Sequence, residues 1–159
     1  MLPEFEREMA GTRKALERIP EDNLDWRPHP KSMTMGRLAT HLAELAGFAA
    51  RVLEWDSLDV RPGGVAPPIR TLASKAEILA LFDRAVAAGK DAIARTSDEE
   101  WGKTWTLLAN GQTIFAAPRS AVLRTSVLSH TIHHRAQLTV YLRLNDVAVP
   151  PLYGPSADE

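Results

Sequence analysis

Apolar residues recur at intervals of three and four positions in four long segments of the chain, which is the spacing of one face of an α-helix. Thr34 is a suitable N-cap for the second segment, and Ser74 and Glu77 have the spacing of a capping box before the third. Pro118 begins the fourth segment, in the first helical turn, where proline is tolerated. The pattern predicts helices over residues 3–19, 34–55, 74–96 and 118–145.

The segments between these helices predict two different kinds of connection. Residues 56–73 are rich in proline and glycine, so we expect a long irregular crossover from the second helix to the third. Residues 104–108 and 112–115 are β-prone runs around an Asn-Gly pair, which is typical of a short hairpin. These patterns predict one all-α domain over residues 1–159, an antiparallel four-helix bundle with a short β-hairpin between the third and fourth helices.

The fourth predicted helix is apolar on two sides. The first stripe comprises Leu123, Val127, His130, His134, Gln137, Tyr141 and Leu144. The second stripe comprises Leu128, Ile132, Arg135, Thr139 and Leu142. A helix of this kind is either deeply buried or makes a second contact, such as a dimer interface. We interpret Arg135 as a salt-bridge or interface residue of the second stripe.

Three of the five histidines lie within the short sequence His130-Thr-Ile-His-His134. His130 and His134 are four residues apart, so both imidazoles project from one helical face at a spacing that can bind one metal ion. His133 points in a different direction, although it could take the place of His134. Thr131 occupies the position where a metalloprotease has its catalytic glutamate, which argues against protease chemistry.

His41 falls on the apolar stripe of the second helix, where the pattern predicts burial. Alone, it is more typical of a core histidine that makes one hydrogen bond. Burying three imidazoles without a shared partner would be costly, however, and two facing helices would bring them together. We therefore interpret His41, His130 and His134 as ligands of one metal ion, with structural histidines as the alternative. His29 lies in a proline-rich connection and is expected at the surface.

The residues available as ligands limit which metal ions such a site can bind. The chain has no cysteine, so histidine and carboxylate are the available ligands. Neutral imidazoles suit Zn²⁺, Ni²⁺, Co²⁺, Cu²⁺ or Fe²⁺ far better than Mg²⁺ or Ca²⁺, and we expect Zn or Ni. Three ligands leave one position open for water or substrate, as in catalytic sites. No catalytic acid or base is marked, but Glu44, Gln137 and Tyr141 have the helical phase of pocket-lining residues.

The composition and charge of the chain argue against some classes of binding partner. Apolar residues make up 45% of the chain and charged residues 25%, and the net charge is -1. Because there is no run rich in Lys or Arg, nucleic acid is not an expected partner. No stretch approaches the roughly 18 uninterrupted apolar residues of a membrane span, and the N-terminal sequence has no apolar run of a signal peptide. We therefore expect a cytoplasmic protein that does not bind a membrane.

The sequence resembles the DinB/YfiT-like family of metal-dependent proteins over essentially the whole chain. The similar segments are residues 26–44, the sequence HxxxHRxQL at residues 130–138, and residues 149–159. The resemblance implies a four-helix bundle with up-down-down-up order, a mononuclear site at His41, His130 and His134, and commonly a homodimer. It also implies a relation to transferases and isomerases that use bacterial low-molecular-weight thiols.

Three functions are consistent with these features. The first, which we favour, is a metal-dependent transferase (similar to thiol S-transferases, with a low-molecular-weight thiol as co-substrate) or a hydrolase acting on a small molecule. The second is a non-catalytic metal- or stress-responsive dimeric binding protein. The third is a structural dimeric bundle whose histidines bind metal only adventitiously. The sequence does not decide whether the protein is an enzyme.

Overall fold

The computed structural model describes residues 1–158; Glu159, the last residue of the predicted domain and of the segment at 149–159, lies outside the described residues. The chain is mostly helical and has a small three-stranded sheet. Within residues 1–158, no helix combines the length and apolar character needed to cross a membrane. The elements are α1 (Leu2–Glu17), α2 (Met35–Glu54), β1 (Ser57–Asp59), α3 (Lys75–Arg95), α4 (Asp98–Gly102), β2 (Thr104–Ala109), β3 (Gln112–Pro118), α5 (Arg119–Val122), a π-helical segment (Leu123–Ser129) and α6 (His130–Leu144).

The helices begin and end close to the predicted positions because their caps are local in sequence. The hydroxyl of Thr34 accepts a hydrogen bond from the backbone N–H of Arg37 at 3.2 Å, as an N-cap does. The hydroxyl of Ser74 likewise accepts from the N–H of Glu77 at 3.2 Å. The Glu77 carboxylate accepts from the N–H of Ala73 at 3.0 Å, one residue before the cap. These bonds confirm the predicted starts of α2 and α3.

The sheet shows that the all-α prediction is wrong in one respect. β2 and β3 form the predicted antiparallel hairpin, and Asn110 and Gly111 at its turn have φ values of 53° and 73°. β1, in the crossover predicted to be irregular, pairs in parallel with β2 and gives the order β1-β2-β3. The Asp59 carboxylate accepts from the N–H groups of Asn110 and Gly111 at 3.0 and 2.8 Å. A three-residue strand is too short to show periodicity, and its partner is remote in sequence.

The helices approach each other closely where small residues lie between them. α2 packs against α3 and α6, and α1 packs against the same two helices. At Gly89 of α3, an added Cβ would lie 2.8 Å from the Phe5 ring and 3.2 Å from the carbonyl oxygen of Ala46. Any larger residue here would require the Phe5 ring to move, so glycine allows this close approach of α3. The packing places α2 directly beside α6, which is what assembles the histidine cluster.

The fourth predicted helix is not one uninterrupted α-helix. Pro118 ends β3 and is the N-cap of α5, not a residue of the first helical turn. The π-helical segment then leads into α6. Most of the second apolar stripe is buried within the chain: Leu128, Arg135 and Leu142 are 0%, 2% and 0% exposed, and Ile132 and Thr139 are partly buried. Burial accounts for the apolar character of these three positions.

Arg135 forms a buried ion pair with Glu8 of α1, which confirms the salt-bridge interpretation. The two charged groups are 2.7 Å apart, and both side chains are 2% exposed. Tyr153 donates to Glu8 Oε2 at 2.6 Å and accepts from Arg135 Nη2 at 2.5 Å. Burial raises the pKa of Glu8, but hydrogen bonds from Tyr153 and Arg135 outweigh this effect and hold the pKa below its usual value. The network ties α1, α6 and the C-terminal segment together.

Candidate metal centre

The packing of α2 against α6 brings the imidazoles of His41, His130 and His134 together. Each ring offers one nitrogen, and these nitrogens all lie within 4.8 Å of one another. A metal ion that binds imidazoles at about 2.0–2.1 Å separates its nitrogen ligands by about 3.0–3.4 Å. Small side-chain rotations would reach that separation, so the cluster fits a divalent metal ion. That the three residues are ligands stays a prediction.

His133 and His29 do not belong to this cluster. His133 is exposed, and its Nε2 lies 3.1 Å from Nε2 of Gln137. Its ring contacts that of His134, with centroids 4.9 Å apart, but its nitrogens are not among those that lie within 4.8 Å of one another. His29 is exposed, as predicted, and its Nδ1 accepts from the N–H of Lys31 at 3.1 Å. The geometry therefore favours His134 over His133 as the partner of His130.

Two of the rings are oriented by hydrogen bonds from their own helical region. Nδ1 of His134 lies 2.7 Å from Oε1 of Gln137. An amide oxygen only accepts, so Nδ1 carries the proton and Nε2 keeps its lone pair. His130 makes a hydrogen bond with the backbone of Ser126, in the π-helical segment. Outer partners of this kind set the ring orientation and the tautomer of metal-binding histidines.

His41 lies at the edge of a cavity, not in the middle of a buried stripe as predicted. Its side chain is 21% exposed, whereas its neighbours Thr40 and Leu42 are fully buried. Nδ1 of His41 lies 3.5 Å from Arg37 Nη2 and 3.8 Å from Glu44 Oε2. Arg37 also donates two hydrogen bonds to Glu44 Oε2, at 3.0 and 3.1 Å. The apolar stripe placed His41 toward the interior, but the cavity beside α2 leaves it half-buried.

The three imidazoles are uncharged at neutral pH. Burial, followed by the charges of His134 and Arg37, lowers the pKa of His41 to about 4. Burial also lowers the pKa of His130 and of His134, although hydrogen bonds with Ser126 and Gln137 oppose that change. Because a metal binds the neutral imidazole, the cluster is in its ligand form at neutral pH.

The cluster borders a cavity of about 700 Å³. His41 and His130 line one part of its wall, together with Arg37 and Glu44. Much of the remaining wall is apolar and comes from α2, α3, the crossover and the sheet. The volume is within the range of about 300–1,000 Å³ that small-molecule sites occupy. A metal with an open position at this cluster would lie beside a space for a small molecule.

Of the three predicted lining residues, only Glu44 lines this cavity. Gln137 instead contacts His134, and the Tyr141 hydroxyl donates to the carbonyl oxygen of Met33 at 3.2 Å. Arg51 and Arg70 also line the cavity, and neither was among the predicted site residues. Arg51 lies ten residues after His41 on the same side of α2, so its helical spacing could have identified it as a lining residue. Arg70 follows no helical pattern and could not be found in that way.

Comparison with known proteins agrees with these features. The sequence profile of the DinB superfamily matches residues 4–138, which include all three histidines. A DinB-like protein of Bacillus cereus ATCC 10987 is 22% identical, with 96% of this chain and 95% of that chain covered and a TM-score of 0.70. A DinB-like protein of Bacillus subtilis is 17% identical, with 98% of each chain covered and a TM-score of 0.71. At these identities the two structures share the fold of this chain. No curated protein sequence matches significantly.

Proposed function

The chain belongs to the DinB superfamily, and we propose that it binds a divalent metal at His41, His130 and His134 and acts as a metal-dependent transferase or hydrolase on a small molecule. One observation carries the proposal: three uncharged imidazoles from α2 and α6 meet beside a cavity of about 700 Å³. Buried histidines with a purely structural role need hydrogen-bond partners but no adjoining cavity of this size. The cavity therefore favours a metal centre that meets a small molecule over histidines with a purely structural role.

Zn or Ni is the metal that this ligand set suits best, since both accept imidazole nitrogen readily. When bound with one position open, such an ion supplies Lewis acidity toward a substrate oxygen or sulfur. The chain supplies the orientation: Gln137 aligns the His134 ring at 2.7 Å, and the backbone of Ser126 aligns His130. Glu44, held by Arg37, presents a carboxylate at the cavity wall that can accept a hydrogen bond from a substrate.

We further propose that the transferred group is carried by a thiol, as in thiol S-transferases. Support comes from the resemblance to enzymes that use low-molecular-weight thiols. A thiol is also an apt co-substrate for this ligand set, because a nearby divalent cation lowers the pKa of the sulfhydryl group. Hydrolysis of a small molecule is the second reaction that the same site could support.

The finer architecture belongs to the same proposal. We infer that α1, α2, α3 and α6 form a four-helix bundle with up-down-down-up order, in which α2 and α3 point the same way. The 20 residues between Glu54 and Lys75 support this order, since parallel helices need a connection that returns along their whole length. A homodimer is also expected, and Val140 and Leu144 of α6, each 57% exposed, are available for it. Light scattering distinguishes a dimer from the 17.5-kDa monomer.

Elemental analysis of the purified protein, followed by thiol-conjugation assays, tests the proposal. We expect about one equivalent of metal per chain and conjugation of an electrophile by at least one low-molecular-weight thiol, both absent from His41→Ala. Stoichiometric metal without conjugation or hydrolysis would instead favour the metal- or stress-responsive binding protein. If the protein carries no stoichiometric metal after growth with Zn and Ni, the histidines bind metal only adventitiously and the proposal is rejected.

A further inference from the structure

The face of α2 that lines the cavity extends well beyond the histidine cluster. Arg37, His41, Glu44, Phe48 and Arg51 follow one another at intervals of four and three residues, and all five line the cavity. At 1.5 Å per residue, the ten residues from His41 to Arg51 span about 15 Å of helix. The cavity wall therefore runs from the candidate metal ligand to an arginine nearly three helical turns away.

The charges on this wall are not balanced. Three arginines (residues 37, 51 and 70) line the cavity together with one carboxylate, that of Glu44. The Glu44 carboxylate is engaged by Arg37, at 3.0 Å. Within residues 1–158, neither Arg51 nor Arg70 forms an ion pair. Arg51 lies over the Trp55 ring, 5.7 Å from its centroid, and both arginines are exposed. Two arginines that line the cavity are thus without a carboxylate partner among residues 1–158.

Much of the remaining wall is apolar, although Arg70 also lies beside the histidine end, where its carbonyl oxygen accepts a hydrogen bond from Arg37 at 2.9 Å. Phe48 of α2, Leu58 of β1, Leu107 of β2 and Phe115 of β3 all line the cavity. Covering such a surface contributes about 25 cal/mol for each Å² of apolar area removed from water. A small inorganic anion would leave most of this surface uncovered. A neutral apolar molecule, in turn, would make no use of the two arginines.

We propose that the cavity binds small amphiphilic anions, whose apolar body lies against the wall formed by Phe48, Leu107 and Phe115 and whose anionic group is held by an exposed arginine of the wall, Arg51 or Arg70. The inference rests on the proposed function in that it names the substrate class of the same site. The binding itself depends on the arginines and the apolar wall, so it is measurable on metal-free protein. Exposed arginines with several N–H donors suit a carboxylate, sulfonate or phosphate group.

A matched pair of fluorescent probes tests this on chelator-treated protein. 1-Anilinonaphthalene-8-sulfonate and N-phenyl-1-naphthylamine share one aromatic body and differ in the sulfonate. We expect the double variant R51Q/R70Q to weaken binding of the sulfonate probe about tenfold or more and to leave the neutral probe unchanged. Added NaCl should weaken only the sulfonate probe, because exposed charges are screened. Arg84→Gln, on an exposed position of α3 that does not line the cavity, is the control and should change neither affinity.

The outcomes separate this inference from the metal proposal. Weaker binding of the sulfonate probe in only one of the single variants, R51Q or R70Q, supports the inference and assigns the anionic group to that arginine. Equal affinity for the sulfonate probe in R51Q/R70Q and the unmodified protein would overturn it, as would an equal loss of both probes. Circular dichroism and thermal unfolding verify that each variant is folded. His130→Ala should lose metal yet retain the sulfonate probe, so failure of metal binding leaves this test intact.

Discussion

The Nε2 atoms of His130 and His134 lie 2.9 Å apart on successive turns of α6. Helix geometry puts the two side chains on one face, since residues four apart face the same way, and hydrogen bonds with Gln137 and Ser126 orient the rings. The third ring comes from another helix: the centroid of the His41 ring is 4.7 Å from that of His134. The pair therefore exists wherever α6 is helical, whereas the trio exists only when α2 is packed against it. Metal binding is accordingly expected to depend on folding and to stabilise it.

Replacing His130 with alanine should abolish retention of metal through purification. The substitution removes one of three nitrogens and leaves an incomplete site. The metal affinity should therefore fall by more than the roughly 10–100-fold that is typical when a hydrogen-bond partner of a ligand is replaced. Metal content by mass spectrometry measures the effect. His133→Ala is the matched control, because that exposed ring contacts His134 but offers none of the three clustered nitrogens, and it should retain metal. If His133→Ala lost metal and His130→Ala kept it, the assignment of ligands would be wrong.

Removing the metal should lower the thermal stability. An ion at 100 times its dissociation constant stabilises the folded state by about 2.7 kcal/mol. For a chain of this length, that corresponds to a change in Tm of about 5–10 °C. Thermal unfolding with added Zn²⁺ and with a chelator measures the difference. His130→Ala should show the same Tm in both conditions; an equal response of the variant and the unmodified chain would place the binding elsewhere.

Replacing Gln137 with leucine should weaken metal binding without unfolding the protein. Gln137 is exposed, and its amide oxygen lies 2.7 Å from Nδ1 of His134, so it sets the orientation of that ring. Loss of such a partner reduces metal affinity by about 10–100-fold. Competition with a chromophoric chelator measures the affinity. Gln137→Glu keeps an acceptor oxygen and should retain most of the metal affinity. An unchanged metal affinity in Gln137→Leu would exclude the orienting role.

Replacing Glu8 with glutamine should lower the free energy of unfolding by about 3 kcal/mol near neutral pH, because it leaves the guanidinium of Arg135 buried without its counter-charge. The pKa of Glu8 in the folded chain is lowered from 4.5, so its contribution is complete above that value and is lost as the pH falls through the folded pKa. The difference between the two proteins should therefore be constant around pH 7 and should shrink below about pH 4.5. Urea unfolding of both proteins near pH 7 and below about pH 4.5 measures this difference.

Tyr153→Phe provides the control for that experiment. It removes the hydroxyl that donates to Glu8 at 2.6 Å and accepts from Arg135 at 2.5 Å, but it keeps the ion pair between Glu8 and Arg135. The expected loss is about 2 kcal/mol, since each of the two hydrogen bonds usually contributes about 1 kcal/mol net. A difference between Glu8→Gln and the unmodified protein that grew in acid would contradict the lowered pKa.

The sequence by itself determined the features whose causes lie within a few residues of one another. The caps at Thr34 and Ser74 mark the starts of α2 and α3, because a cap bonds to an N–H only three positions away. The β2–β3 hairpin follows from its Asn-Gly turn. The facing of His130 and His134 is equally local, being one turn of helix. The apolar stripe of α2 also directed His41 toward the interior of the protein.

Only the tertiary structure decided which faces meet. β1 became a strand because β2 offered it a free edge about 50 residues later in the chain. Three residues of the second stripe of the fourth predicted helix lie in the core, where Arg135 meets its counter-charge on α1. His41 lies half-buried because a cavity, with Arg51 and Arg70 on its wall, occupies the space beside α2. These outcomes depend on packing between distant segments, and periodicity along the chain carries no information about the partner that each face meets.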